Sequence, residues 1–150
     1  MGLDMFLYKV KREEVAYWRK ANAIHAWFEE HLAEGEIENC RDYYVSKEDL
    51  ILLRDTCQRI LNSCTLVNGK VQNGSRLVKG ELVPIYEEGL VLKDTSLAEE
   101  LLPTQSGFFF GSTAYDQYYI EDLKDTVEQI NKILEEVDFD KSEIVYHAWW

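Results

Sequence analysis

Residues 112–150 read STAYDQYYIEDLKDTVEQINKILEEVDFDKSEIVYHAWW, and a change of period inside this stretch decides the fold class. Tyr119, Leu123, Val127, Ile130, Leu134 and Val137 recur at three- and four-residue intervals, the spacing of one buried helix face. Glu121, Asp122, Asp125, Glu128, Glu135 and Glu136 form an acidic outer face. The helix is expected to start from a cap at Ser112 or Thr113 and to end near Val137. From Glu143 to Trp150 the residues become β-branched and aromatic, which reads as a strand.

The other end of the chain has the same two signals in reverse order. Leu3 to Val10 is apolar or aromatic apart from Asp4 and Lys9, and reads as a largely buried strand. Glu13 and Glu14 then open a helix whose stripe is Tyr17, Ala21, Ile24, Phe28 and Leu32, ending near Ala33 before Gly35. Arg41 to Val45 is a short second strand. Ser46 and Asp49 form an acidic capping box for a helix carrying Leu50, Leu53, Cys57, Ile60, Leu61 and Cys64. It is expected to end near Leu66, because Asn68-Gly69 and Asn73-Gly74 are turn pairs. Pro84 restricts any strand between about 67 and 93 to an edge, so this region reads as an irregular, hairpin-like excursion. Thr95 or Ser96 caps a short helix stopped at Pro103, and Ser106 to Gly111 reads as a strand or tight loop.

The expected fold is therefore α+β: one domain over 1–150, with a small mixed or antiparallel sheet including both termini. Two long helices and a third long helix in the C-terminal half pack on it. The length fits a single domain.

Composition narrows function by exclusion. Hydrophobic residues are 46% and charged residues 29%, as in ordinary globular proteins, and the formal net charge is −12. That balance argues against direct nucleic-acid binding and against an anionic membrane surface. The N-terminus lacks the basic start and long apolar run of a secretion signal. Cys40, Cys57 and Cys64 are an odd count, so reduced thiols in a cytosol are expected. Cys57 and Cys64 lack the spacing of a metal or redox pair, so no metal and no cofactor is expected.

Three groups of residues carry chemistry. Trp18, Asn22, His25 and Glu29 form a second line along the first helix. They read either as a pocket wall, with Trp18 stacking and Asn22 and His25 hydrogen-bonding, or as the polar edge of the core. Thr104, Gln105 and Ser106 precede Ser112 and Thr113, whose helix start would present free N–H groups to an anion; simple capping explains them equally. Tyr115, Tyr118, Tyr119, Trp149 and Trp150 supply aromatic surface, and packing of Trp149-Trp150 against the sheet is expected. The acidic helix face reads as solvated rather than as a nucleic-acid mimic.

The stretches MGLDMFLYKV, AYWRKANAIHAWF and LLPTQSGFFFGST, with Tyr115-Asp116 and the last aromatic strand, resemble a family of small uncharacterised proteins of bacteriophages and bacterial mobile elements. The resemblance covers both ends and the long helix, while 67–93 looks particular to this chain. It implies no catalytic residues. It implies a phage-borne accessory protein in the cytoplasm of a bacterial host, of a kind that counters host defence by binding. On that reading the partner is a host protein or a small anionic, nucleotide-type ligand. The surface is Trp18, Arg19, Asn22 and His25 with Thr104, Gln105, Ser106, Ser112, Thr113 and Tyr115. Two alternatives stay open: a small enzyme using His25 and Asp116 for acid–base chemistry on an anionic molecule, and a homo-oligomeric interaction protein.

Overall fold

The computed structural model describes residues 3–7, 11–32, 35–107 and 110–150. Eight elements follow one another: α1 (Asn22–Leu32), β1 (Asp42–Val45), α2 (Lys47–Ser63), β2 (Leu66–Val78), β3 (Glu81–Leu92), α3 (Ser96–Leu101), α4 (Gln117–Glu136) and β4 (Ile144–His147). The class is α+β, with two separate two-stranded antiparallel sheets, β1–β4 and β2–β3.

Local signals set α2. The Ser46 side chain accepts from the Asp49 N–H, and the Asp49 carboxylate accepts from the Ser46 N–H, so the capping box closes in both directions. Leu50, Leu53, Cys57 and Ile60 are buried at helical spacing and pack against α4. Burial pushes the Cys57 thiol up to about 12, so it is a small core residue with no tendency to ionise.

The buried stripe of α4 is Tyr119, Ile120, Leu123, Thr126, Ile130 and Ile133, while Val127, Leu134 and Val137 are half-buried. Thr126 is admitted to the core because its hydroxyl donates to the Asp122 carbonyl and accepts from the Trp18 indole N–H. Asp122, expected on the outer face, is half-buried. The cap of α4 is Asp116, not Ser112 or Thr113: its Oδ1 accepts from the N–H groups of Tyr118 and Tyr119. A carboxylate there also answers the positive helix end.

The helix expected from Glu13 begins only at Asn22. Lys20 has φ of 57°, in the left-handed region, which no α-helix tolerates. Before it the chain runs extended along α4. Gln129 clamps Tyr17 from both sides, accepting from its N–H at 2.8 Å and donating to its carbonyl at 2.9 Å. Ala16 and Trp18 pack on the core while Tyr17 faces out, the alternation of an extended segment. Of the first strand expected over Leu3 to Val10, Leu3 to Leu7 are exposed and carry no strand, while Tyr8 to Val10 lie outside the described residues, as does the expected helix end at Ala33.

The strand expected at Arg41–Val45 is β1, and the one expected at Glu143–Trp150 is β4. They pair antiparallel, Asp42 opposite His147 and Val45 opposite Ile144. The excursion at 67–93 is one long hairpin. Its turn is Lys79-Gly80, both with positive φ, rather than either Asn-Gly pair. Asn68-Gly69 lies within β2, where Gly69 faces Gly89; a Cβ on Gly89 would come within 2.6 Å of Val71. Gly74 sits in a bulge between Gln72 and Ser75. At α3 the Asp94 carboxylate, not Thr95 or Ser96, accepts from the Ser96 N–H and hydroxyl. No described helix is long and apolar enough to cross a membrane.

Candidate functional site

α1 begins at Asn22, and this residue ties the helix to the loop that leads into α4. Its amide nitrogen donates to the carbonyls of Phe110 and Ser112, and its oxygen accepts from the Gln105 N–H. One turn on, His25 Nδ1 lies 2.6 Å from the Tyr146 hydroxyl on β4. A further turn on, Glu29 accepts from the Gln105 amide through Oε1 and from the Ile37 N–H through Oε2. The i, i+4 spacing also brings His25 Nε2 within 3.2 Å of Glu29 Oε1, outside hydrogen-bond geometry.

Asn22, His25 and Glu29 are all buried. Burial lowers the affinity of His25 for a proton, and the Glu29 charge opposes this only in part. Burial, with the Glu29 charge adding to it, raises the Tyr146 hydroxyl well above its ordinary range. The phenol therefore keeps its proton and donates to Nδ1. The neutral imidazole then carries its own proton on Nε2, toward Glu29. Three rings wall the histidine: Phe110 at 5.2 Å, Trp150 at 5.4 Å and Tyr146 at 5.8 Å. His25 Nε2 and Gln105 Oε1 are buried without a hydrogen-bond partner.

The two motif-rich stretches thus meet. Asn22 and His25 sit against Gln105, Phe110 and Ser112. Thr104 donates to the Thr113 carbonyl through its hydroxyl and to the Tyr115 hydroxyl through its N–H. The Ser112 hydroxyl accepts from the Ala114 N–H, so it closes a local turn rather than a helix start. Tyr115 packs on Tyr119, and Ser106 and Arg19 are exposed. Trp18 faces Thr126 and Phe28 instead of this cluster.

Two expectations are corrected. The anion site at the Ser112-Thr113 helix start does not form, because the α4 N–H groups are capped by Asp116. His25 and Asp116 form no acid–base pair: the carboxylate beside His25 is Glu29, while Asp116 is 1% exposed and committed to α4. Tyr146, Trp150 and Phe110 complete the histidine's surroundings. Only the aromatic character of their segments marked them beforehand.

Trp149 and Trp150 divide their roles. Asn39 holds Trp150 by its N–H and its carbonyl, and its ring closes over His25 and Phe110. Trp149 is 77% exposed, so the expected packing holds for one indole only. The outward face of β1–β4 continues this surface with Tyr44 opposite Val145, and with Asp42 held by both Arg12 and His147. A cleft of about 140 Å³ lies elsewhere, between Glu13, Glu14 and Val15 and the end of α4. Among the described residues no group of three or more His, Cys, Asp or Glu is arranged to hold a metal ion. No family model, curated protein or solved structure matches the chain.

Proposed function

We propose that the protein works by binding a protein partner, on a surface made of Trp149, the outward face of β1–β4 and the adjoining residues 104–107 and 110–113. The observation that carries this reading is Trp149. An indole 77% exposed is held between Ala148, whose carbonyl accepts from the Cys40 N–H, and Trp150, pinned by Asn39. A large aromatic presented on fixed backbone loses little freedom when a partner covers it, which is how interface anchors gain affinity. Tyr44 and Val145 extend its apolar area. Asn22 and Thr104 spend their side-chain polar groups on internal hydrogen bonds, so they shape this surface from beneath. In the context implied by the phage resemblance, the partner is a bacterial defence protein, bound and disarmed without catalysis.

A small anionic ligand is the second reading, favoured by one observation. His25 Nε2 and Gln105 Oε1 are a buried donor and a buried acceptor without partners, and a ligand reaching them would satisfy both. The same pair is where an enzyme would place acid–base chemistry, with Glu29 in the role expected of Asp116.

Native mass spectrometry of the tagged protein drawn gently from a host-like bacterial lysate tests the proposal. A discrete protein-sized mass excess, lost in Trp149→Ala but kept in Tyr118→Ala, is the expected result. A small excess that survives Trp149→Ala overturns it in favour of the ligand reading. A protein-sized excess that Trp149→Ala leaves unchanged shows that another surface does the binding.

A further inference from the structure

The β2–β3 hairpin is far longer than its seat on the body. Val71 is fully buried and the Gln117 side chain accepts from the Leu90 N–H, so the root is fixed to α4. Beyond it every residue from 73 to 88 is exposed. A two-stranded ribbon left in water is marginal by itself, yet this one carries Leu77, Leu82 and Tyr86 at 71%, 61% and 62% exposure.

The register places these three on one face. Leu77 is opposite Leu82, Ser75 opposite Pro84 and Gln72 opposite Tyr86, and side chains two apart along a strand share a face. The three rows contain no charge. They are bounded by the Lys70–Glu88 ion pair toward the root and by the Lys79-Gly80 turn at the tip. Strand addition is discouraged at both edges, since Pro84 lacks an N–H and the bulge bends β2. What is left open is the face.

We infer that this face is where two copies of the chain associate, their arms stacked antiparallel about a two-fold axis through the Ser75–Pro84 row. Charge is the first support. Residues 66–92 hold three basic and three acidic side chains, so the whole −12 lies outside the arm. The middle of the face stands roughly 15 Å from Val71 and Leu90, so an antiparallel pair holds the two bodies roughly 30 Å apart. That separation is several times the ~8 Å Debye length at physiological salt, so the acidic bodies stay screened from each other.

Self-complementarity is the second support. The two-fold axis sets Tyr86 of each copy over Leu77 and Leu82 of the other, and Lys79 at each tip beside the partner's Glu88 row. Area is the third. Leu77, Leu82 and Tyr86, at 71%, 61% and 62% exposure, leave on the order of 400 Å² on the stacking face of each arm. Two such faces together bury on the order of 800 Å², the size of a weak, reversible interface.

Sedimentation velocity of the full chain over a concentration series tests this. The wild type is expected to show a reversible monomer–dimer equilibrium. Leu82→Asp should weaken it by about tenfold or more. Lys79→Glu should weaken it several-fold at low salt and much less at high salt. Glu99→Gln, on α3, should leave it unchanged. Circular dichroism should show the same fold in all variants, because the substituted side chains are exposed. A wild type that stays monomeric to about millimolar concentration overturns the inference. So does a dimer that Leu82→Asp leaves intact, or a monomer that cosediments through this arm with phosphatidylcholine vesicles.

Discussion

The Tyr146 hydroxyl lies 2.6 Å from His25 Nδ1 and joins β4 to α1 across 121 residues of sequence. The two residues hold each other's state. A phenol kept protonated by burial needs an acceptor, and an imidazole kept neutral by burial offers one. Phe28 stacks on the Tyr146 ring at 4.1 Å, which fixes its angle.

Tyr146→Phe keeps that stack and removes only the hydroxyl. It leaves Nδ1 of a buried histidine without a partner, and should cost about 1–3 kcal/mol. Urea denaturation at pH 8 measures it. A loss below about 0.5 kcal/mol would mean that the hydrogen bond adds little beyond ring packing.

Two groups set opposing pH slopes. The folded chain lowers the affinity of His25 for its proton from an ordinary value of 6.5. Between that value and the folded one the unfolded chain binds more protons, so stability falls as the pH falls through this window. Asp122 goes the other way. Burial, with Asp125, Glu121 and Asp116 nearby, raises it from 3.8 to about 6. Its folded form binds more protons across that range, so stability is lost as the pH rises toward about 6. Asp122→Asn should therefore stabilise the protein at pH 7 by on the order of 1 kcal/mol, solvent screening included, and have no effect below pH 4. It should also steepen the loss as the pH falls below about 6, since the histidine slope is then unopposed. Denaturation midpoints of wild type and variant from pH 4 to 8 read both slopes. Parallel profiles would show that Asp122 titrates as it does in the unfolded chain.

Asn22 pins Gln105, Phe110 and Ser112 to the start of α1, with two donors and one acceptor engaged. Asn22→Ala should destabilise by roughly 2–4 kcal/mol and should abolish hydrogen-exchange protection of the Gln105 amide. Asn22→Asp keeps the acceptor for Gln105 but turns an anionic oxygen toward two carbonyls. It should be no better than alanine at neutral pH, whereas a rescue would show that the donors contribute little.

The legible part of this protein is the part with local causes. The Ser46–Asp49 box and the Leu50, Leu53, Cys57 spacing marked α2 because cap and periodicity are written within one or two turns. The segment 11–21 misled because its helical spacing is real but weaker than its tertiary contacts: Gln129 supplies hydrogen bonds from 112 residues away, and Trp18 reaches Thr126. Likewise Asn68-Gly69 has the chemistry of a turn, but Gly69 is needed within β2, where a Cβ would come within 2.7 Å of the Val91 side chain across the pair. Thr126 was invisible as core because its polarity is cancelled only by Trp18 and Asp122. Within the candidate site, the line Asn22, His25, Glu29 could be seen on one helix; Tyr146 and Trp150 could not be assigned to it.

By itself, the sequence determined the helices that cap and stripe themselves, the mixed α+β class, and a formal net charge of −12. Tertiary structure decided which carboxylate stands by His25, which tryptophan is covered, and that residues 66–92 leave the body as an arm. The reason is range. Capping and periodicity act within a few residues, where the sequence states both partners. Burial, proton affinity and hydrogen bonding at the site depend on groups about a hundred residues apart, and only packing brings those to within 3 Å.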